Sequence, residues 1–183
     1  ADVQAMVYGY NNNPALTETI ATALDDFSNY DEVGYLMTDA IRVINGTDIA
    51  LTNPGGVRIS TLAKGDVRTK DVYEMDPFGN EMVLFSFSGH EIHNLFLSAF
   101  ALDDHLPVYP SGMTTRYLLT PDGELKDAEL FTTDGKPFDL DKTYSVVMSD
   151  YMASVYKFDH KDPGQGLFRS SAEATIDYLK GLK

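Results

Sequence analysis

The chain has 183 residues and is 43% hydrophobic, enough to build a packed core within one domain. Its 28 acidic against 14 basic residues give a formal charge of −14, a surface that repels nucleic-acid backbones and anionic membranes and argues against both as partners. The absence of cysteine excludes disulfides, thiolate metal sites and a cysteine nucleophile, and no apolar run of about 18 residues offers a membrane span.

In chain order, Asn11 to Asn13 followed by Pro14 read as a helix cap and first turn. Leu16, Ile20, Leu24 and Phe27 recur at spacings of three and four, which predicts an amphipathic helix. Val33, Leu36, Met37, Ala40, Ile41 and Ile44 predict a second helix. A short apolar strand over 48–52 runs into Asn53-Pro54-Gly55-Gly56, a forced turn. Met82 to Phe87 read as a buried strand, and Ser88 with Glu91 makes a capping box for a helix with Ile92, Leu95, Phe96 and Phe100 facing inward. Strands follow at 117–119, 129–132 and 144–148, separated by turns at Pro121-Asp122-Gly123 and Asp134-Gly135, and Ser171 to Leu179 close the chain as a helix. Helix–strand alternation breaks down after Phe100, so the fold class is α+β, with a mixed or antiparallel sheet and packed helices.

Gly89-His90-Glu91-Ile92-His93 resembles a zinc-protease helix at first sight, but its histidines are three apart where that chemistry needs four. Ile92 and Leu95 claim the core side, so these histidines are expected on an exposed helix face and no metal site is predicted. There is no Gly-x-Ser-x-Gly elbow and no phosphate loop. Asn53-Pro54-Gly55-Gly56-Val57-Arg58 is more informative. Paired glycines after a strand allow φ > 0 and a close backbone approach to a ligand. Asn53 and Arg58 flank them with hydrogen-bonding groups, and the planar guanidinium suits a carboxylate or phosphate. Asp76-Pro77-Phe78-Gly79-Asn80 places an aromatic ring in a Pro/Gly loop, and Ser149 to Ser154, read as a third loop, presents Tyr151. Together the three outline a stacking slot for a planar ligand. Turn stabilisation by Asn53 and Asn80, and a core ring for Tyr151, are the plainer alternatives.

Taken in order, these segments resemble the carboxy-terminal domain of the 5'-nucleotidase and UDP-sugar hydrolase family. The resemblance runs from about Val33 to Leu182. It rests on Gly34-Tyr35-Leu36-Met37-Thr38-Asp39-Ala40, on the 48–53 strand with Gly55-Gly56-Val57-Arg58, on Pro77-Phe78-Gly79-Asn80 with Ser88-Gly89-His90-Glu91-Ile92, and on the stretch from Gly135 to Tyr144. It implies a single domain over 1–183, with residues 1–30 as an amino-terminal helical extension and the core over about 31–183.

What the resemblance implies is a nucleoside or nucleotide ligand whose base lies between Phe78 and Tyr151, with Asn80 on the base and Asn53, Gly55, Gly56 and Arg58 toward the rest of the substrate. Two departures stand out. The family's Gly-Gly-Asp-Gly segment, whose Asp grips the ribose, is replaced by Ser154-Val155-Tyr156-Lys157-Phe158-Asp159, with Lys157 at the position of the Asp. The arginines often found before the first matched helix are also replaced, by Asp25, Asp26 and Phe27. The family's catalytic half is a separate domain carrying two divalent metals, and the four histidines here, at 90, 93, 105 and 160, match no metallophosphatase pattern. The expectation is therefore a specificity domain that needs a metallophosphatase domain or subunit, has no catalytic residue or cofactor of its own, and is periplasmic or at the cell surface. The alternative is an interaction or structural domain that has lost its ligand.

Overall fold

A five-stranded sheet, whose middle strand comes late in the chain, organises the protein. The computed structural model describes residues 2–102 and 107–182; His105 lies outside them. The first half contains α1 (Val3–Asn11), α2 (Pro14–Thr17), β1 (Thr19–Ala23), α3 (Tyr30–Asn45), β2 (Ile49–Thr52), β3 (Gly65–Arg68), α4 (Thr69–Met75) and β4 (Glu81–Ser88). The second contains α5 (Gly89–Leu102), β5 (Tyr109–Ser111), β6 (Met113–Leu119), β7 (Leu125–Thr132), β8 (Thr143–Ser149), α6 (Asp150–Val155), β9 (Gln165–Ser170) and α7 (Ser171–Gly181). The sheet order is β5-β2-β8-β4-β9, with β2 and β8 parallel and the other neighbours antiparallel; β1 with β3 and β6 with β7 form two separate ribbons. This is the expected α+β architecture with a mixed sheet.

Period-two alternation along the strands feeds a core on each face of the sheet. Ile49, Leu51, Phe85, Phe87, Tyr144, Val146 and Met148 point to one face, where Ile92, Leu95 and Phe96 of α5 and Ala128 and Leu130 of β7 cover them. Ala50, Met82 and Val147 point to the other, beneath Ile41 of α3 and Ala174 of α7. Both faces of β2 are covered, which is why Ile49-Ala50-Leu51-Thr52 carries no polar alternation.

Helix α3 forms as predicted but begins at Tyr30, ahead of Val33, with Asn29 Oδ1 accepting from the Glu32 N–H at 2.9 Å, and ends at Gly46 in the left-handed conformation. The predicted capping box also forms: Ser88 Oγ accepts from Glu91 N–H at 3.2 Å, and Glu91 Oε2 accepts from Ser88 N–H at 2.7 Å.

Two expectations fail. The helix predicted over Leu16–Phe27 is a single turn followed by β1, which pairs with β3, while Leu24 stands 84% exposed. The β-branched residues Thr19, Ile20 and Thr22 favour the strand, and cross-strand pairing with 65–68 overrides the three-and-four spacing. The segment 149–154, read as a loop, is mostly α6, capped by Ser149 Oγ accepting from Met152 N–H at 3.2 Å.

Candidate functional site

Topology brings the three singled-out segments to one end of the sheet. β2 and β8 run parallel and side by side, so Asn53 and Ser149 leave at the same edge. β4 runs antiparallel to β8, with Met82 opposite Ser149, so the Pro77–Asn80 loop enters at that edge too. Beneath their junction is a small cavity bordered by Asn53, Gly56, Asn80 and Ser149, together with Thr52 and Asp76.

Asn53 precedes a single 3-10 turn over Pro54–Gly56, and its side chain makes no capping hydrogen bond there. Gly55 and Gly56 do not take the positive φ expected of them. They make room for the amide instead, since a Cβ on Gly56 would sit 3.2 Å from Asn53 Oδ1 and one on Gly55 3.4 Å from Asn53 Nδ2. Val57 N–H closes the turn on Pro54 at 3.0 Å, and Arg58 N–H reaches Met75 O at 2.9 Å, tying this loop to the end of α4. The Arg58 side chain is exposed and has no salt bridge among the described residues. Its guanidinium lies over the Phe78 ring, 5.6 Å from the centroid.

Phe78 is 51% exposed, an unusual state for a phenylalanine and a sign that the loop conformation, not burial, fixes it. Gly79, between Phe78 and Asn80, has φ +64, which a side chain there would resist. The loop is anchored from below by Asp76, which is 4% exposed and accepts hydrogen bonds from the Ser171 hydroxyl and from the Phe78 N–H. Burial pushes its carboxyl above the usual range, and the two hydrogen bonds oppose that shift in part. Asn80 O accepts from Ser171 N–H at 3.2 Å, leaving its amide side chain to the cavity.

Tyr151 occupies the first turn of α6 and is 48% exposed, so it is not a core ring. Its backbone is fixed by Asp150 Oδ1, which accepts its N–H at 2.8 Å, and by Ser154 Oγ, which donates to its carbonyl at 2.8 Å. Among the described residues neither Phe78 nor Tyr151 pairs with another aromatic ring. The cavity thus unites Asn53, Gly56 and Asn80, and the cation–π contact unites Arg58 with Phe78. Gly55 and Tyr151 stand on the rim elements.

The segment that replaces the glycine-rich stretch is packed, not open. Tyr156 is buried and donates to Pro107 O at 3.2 Å, and Phe158 meets Phe87 edge-on at 5.4 Å between centroids. Lys157, between these anchors, is exposed and its ammonium donates to Ser154 O, and Asp159 beyond them is exposed. The expectation for the histidines needs one correction: His90 is exposed, but His93 is largely covered and its Nε2 lies 2.7 Å from Asp127 Oδ1. That hydrogen bond is the main cause of an Asp127 carboxyl held below its ordinary range. It joins α5 to β7, and among the described residues no three His, Asp or Glu side chains gather as metal ligands.

Sequence reasoning gave no role in this site to Thr52, nor to Asp76 and Ser149, although the last two open segments that it singled out. Asp76 had a visible signal, an acid immediately before Pro-Phe-Gly-Asn at the end of a helix-length segment. Thr52 had none, because a threonine closing an apolar strand is ordinary.

Comparison with known proteins gives a consistent picture. Residues 15–157 match the family model described as "5'-nucleotidase, C-terminal domain". Endonuclease YhcR of Bacillus subtilis is 28% identical over 92% of this chain, and Protein UshA of Escherichia coli is 28% identical over 68%. The chain spans only 14% and 23% of those two proteins. Among solved structures, the 5'-nucleotidase precursor from Thermus thermophilus superposes with a TM-score of 0.76 at 30% identity, covering 98% of this chain and 39% of that one. The NAD nucleotidase of Haemophilus influenzae shares the fold at 21% identity and a TM-score of 0.70, covering 99% of this chain and 38% of its own.

Proposed function

Because the chain belongs to the family of 5'-nucleotidase C-terminal domains, we propose that it is a nucleoside- or nucleotide-binding module that gives specificity to a metal-dependent phosphohydrolase. The observation that carries this reading is the half-exposed Phe78 ring, held by a pinned loop, with the Arg58 guanidinium on its face and the Asn53 and Asn80 amides at the adjoining cavity. An exposed ring offers a stacking platform to a base, and a guanidinium without a salt bridge among the described residues offers a planar fork to a phosphate. In this reading Tyr151 supplies the second ring, Asn80 reads the base, and Asn53 with Gly55 and Gly56 shapes the floor. Hydrolysis, with its two divalent metals, belongs to a separate metallophosphatase domain or subunit, and the assembly works in the periplasm or at the cell surface. Two of the full proteins that this chain partly matches are named an endonuclease and a 5'-nucleotidase precursor, which supports the same substrate class.

The test is a ligand-observed NMR titration with adenosine, uridine and their monophosphates. Phe78→Ala should weaken binding by about 1–3 kcal/mol, roughly 5- to 150-fold in affinity, with the fold unchanged. Equal affinity in the variant would sink the assignment.

One observation favours a second reading, a domain that serves interaction or structure without a ligand. The segment that would hold the ribose is filled by Tyr156 and Phe158 packed onto the sheet. Saturable binding of any nucleoside excludes it.

A further inference from the structure

The cavity at the loop junction measures about 20 Å³. It is bordered by polar side chains from every segment of the site: Thr52 at the end of β2, Asn53, Asp76, Asn80, Ser149 and Ser171. Asp76, Ser171 and Ser149 have side-chain partners within the protein, whereas the Asn53 and Asn80 amides have no hydrogen bond among the described residues. Asp76 holds Ser171, and Ser149 caps α6. Thr52 differs. It is 8% exposed, and its hydroxyl is fully buried with no hydrogen-bond partner among the described residues. A buried hydroxyl left without a partner is unfavourable, and native interiors satisfy nearly all of them with protein groups or with water. About 10–15 Å³ of such space holds one water molecule, and a resident water needs two to four polar partners. The cavity has room for one, and its lining sets these polar residues beside the apolar Met37, Ile41 and Leu51.

We propose that this cavity is a built site for a single water molecule, which hydrogen-bonds the Thr52 hydroxyl and the polar groups around it. The water ties the outgoing ends of β2 and β8 to the incoming end of β4. A metal ion fits the site poorly, because Asp76 is its single carboxylate and no three acidic or histidine side chains cluster among the described residues. Thr52 is then a positioning residue: it touches no ligand but sets the Asn53 and Asn80 amides through the water. That consequence for binding rests on the nucleoside reading, whereas occupancy of the site does not.

Thr52→Val keeps the side-chain shape and removes the hydroxyl, so the sign of its effect decides. If the hydroxyl has no partner, the valine protein is as stable as the parent or more so. If the water is there, Tm falls by about 2–4 °C, Thr52→Ser restores most of it, and nucleoside affinity drops by roughly two- to tenfold. A high-resolution crystal structure of the unliganded protein should show one solvent peak within hydrogen-bonding distance of Thr52 Oγ1. A valine variant with unchanged or higher Tm, or density without that peak, overturns the proposal. So does a Tm that falls when sodium chloride is exchanged for choline chloride, which would identify a sodium ion. If the valine variant loses stability while no nucleoside binds even the parent protein, the water site stands and the nucleoside reading falls.

Discussion

Asp76 is the residue on which the stacking loop depends most directly. Its carboxylate accepts from the Phe78 N–H and the Ser171 hydroxyl, joining the loop to α7. Its folded pKa lies above that of an unfolded aspartate, about 3.9, chiefly because it is buried. The contribution of such a group is therefore full below the unfolded value and is lost as pH rises through the folded value. Asp48, Glu91 and Glu173 shift downward, so their contributions are present above the unfolded value and fade as pH falls. Asp76→Asn keeps an accepting oxygen without a charge. Denaturation followed upward from about pH 4, the unfolded value, should show its stability, relative to the parent, improving as pH rises; a difference independent of pH would refute the raised carboxyl. Asp76→Ala should cost about 1–3 kcal/mol at any pH, because both donors lose their acceptor. Phe78 and Arg58 were legible in the sequence from the glycines and prolines around them. The role of Asp76 was not, since its burial depends on Ser171, which lies 95 residues away.

At the level of elements, the strand-to-helix corner from β4 into α5 shows how closely pieces must approach. Gly89 N–H donates to Lys142 O at 2.9 Å and His90 N–H to Leu140 O at 3.0 Å. A Cβ on Gly89 would lie 2.5 Å from Asp139 O and from Leu140 Cα, backbone atoms that cannot swing aside. Gly89→Ala should therefore destabilise by about 1–3 kcal/mol. Gly9 in α1 has nothing within 4 Å of its added Cβ, so Gly9→Ala should be neutral or slightly stabilising. Paired thermal melts compare the two, and equal effects would mean that the corner relaxes without cost. Helix α5 was legible because its capping box and apolar periodicity agreed, and α3 because its apolar spacing alone ran for more than three turns. β1 was not, because its three-and-four spacing agrees with a helix while its partner, β3, is too short and polar to announce itself. α6 escaped for a similar reason: six residues give too little periodicity to read.

For the whole molecule the dominant quantity is the charge of −14. Self-repulsion of that size opposes compactness, whereas the exposed pairs Arg116–Glu129 and Lys180–Glu18 contribute little. Raising salt from about 10 to 200 mM shortens the screening length from roughly 30 to under 10 Å, so Tm should rise. A fall would mean that the local pairs outweigh the net repulsion. This balance was legible from composition alone. The sheet order was not, because no local pattern says that β8 will slide between β2 and β4.

That insertion has a consequence during synthesis. Asp48 and Ser145, which flank the β2–β8 pairing with hydrogen bonds of 2.8 Å, are 97 residues apart. At about 5–20 residues per second on the ribosome, Ile49-Ala50-Leu51 waits roughly 5–20 s for its parallel neighbour. Throughout that interval the most apolar strand of the nascent chain has a free edge. The growing polypeptide is then at its most adhesive, and a holding chaperone has the most to protect.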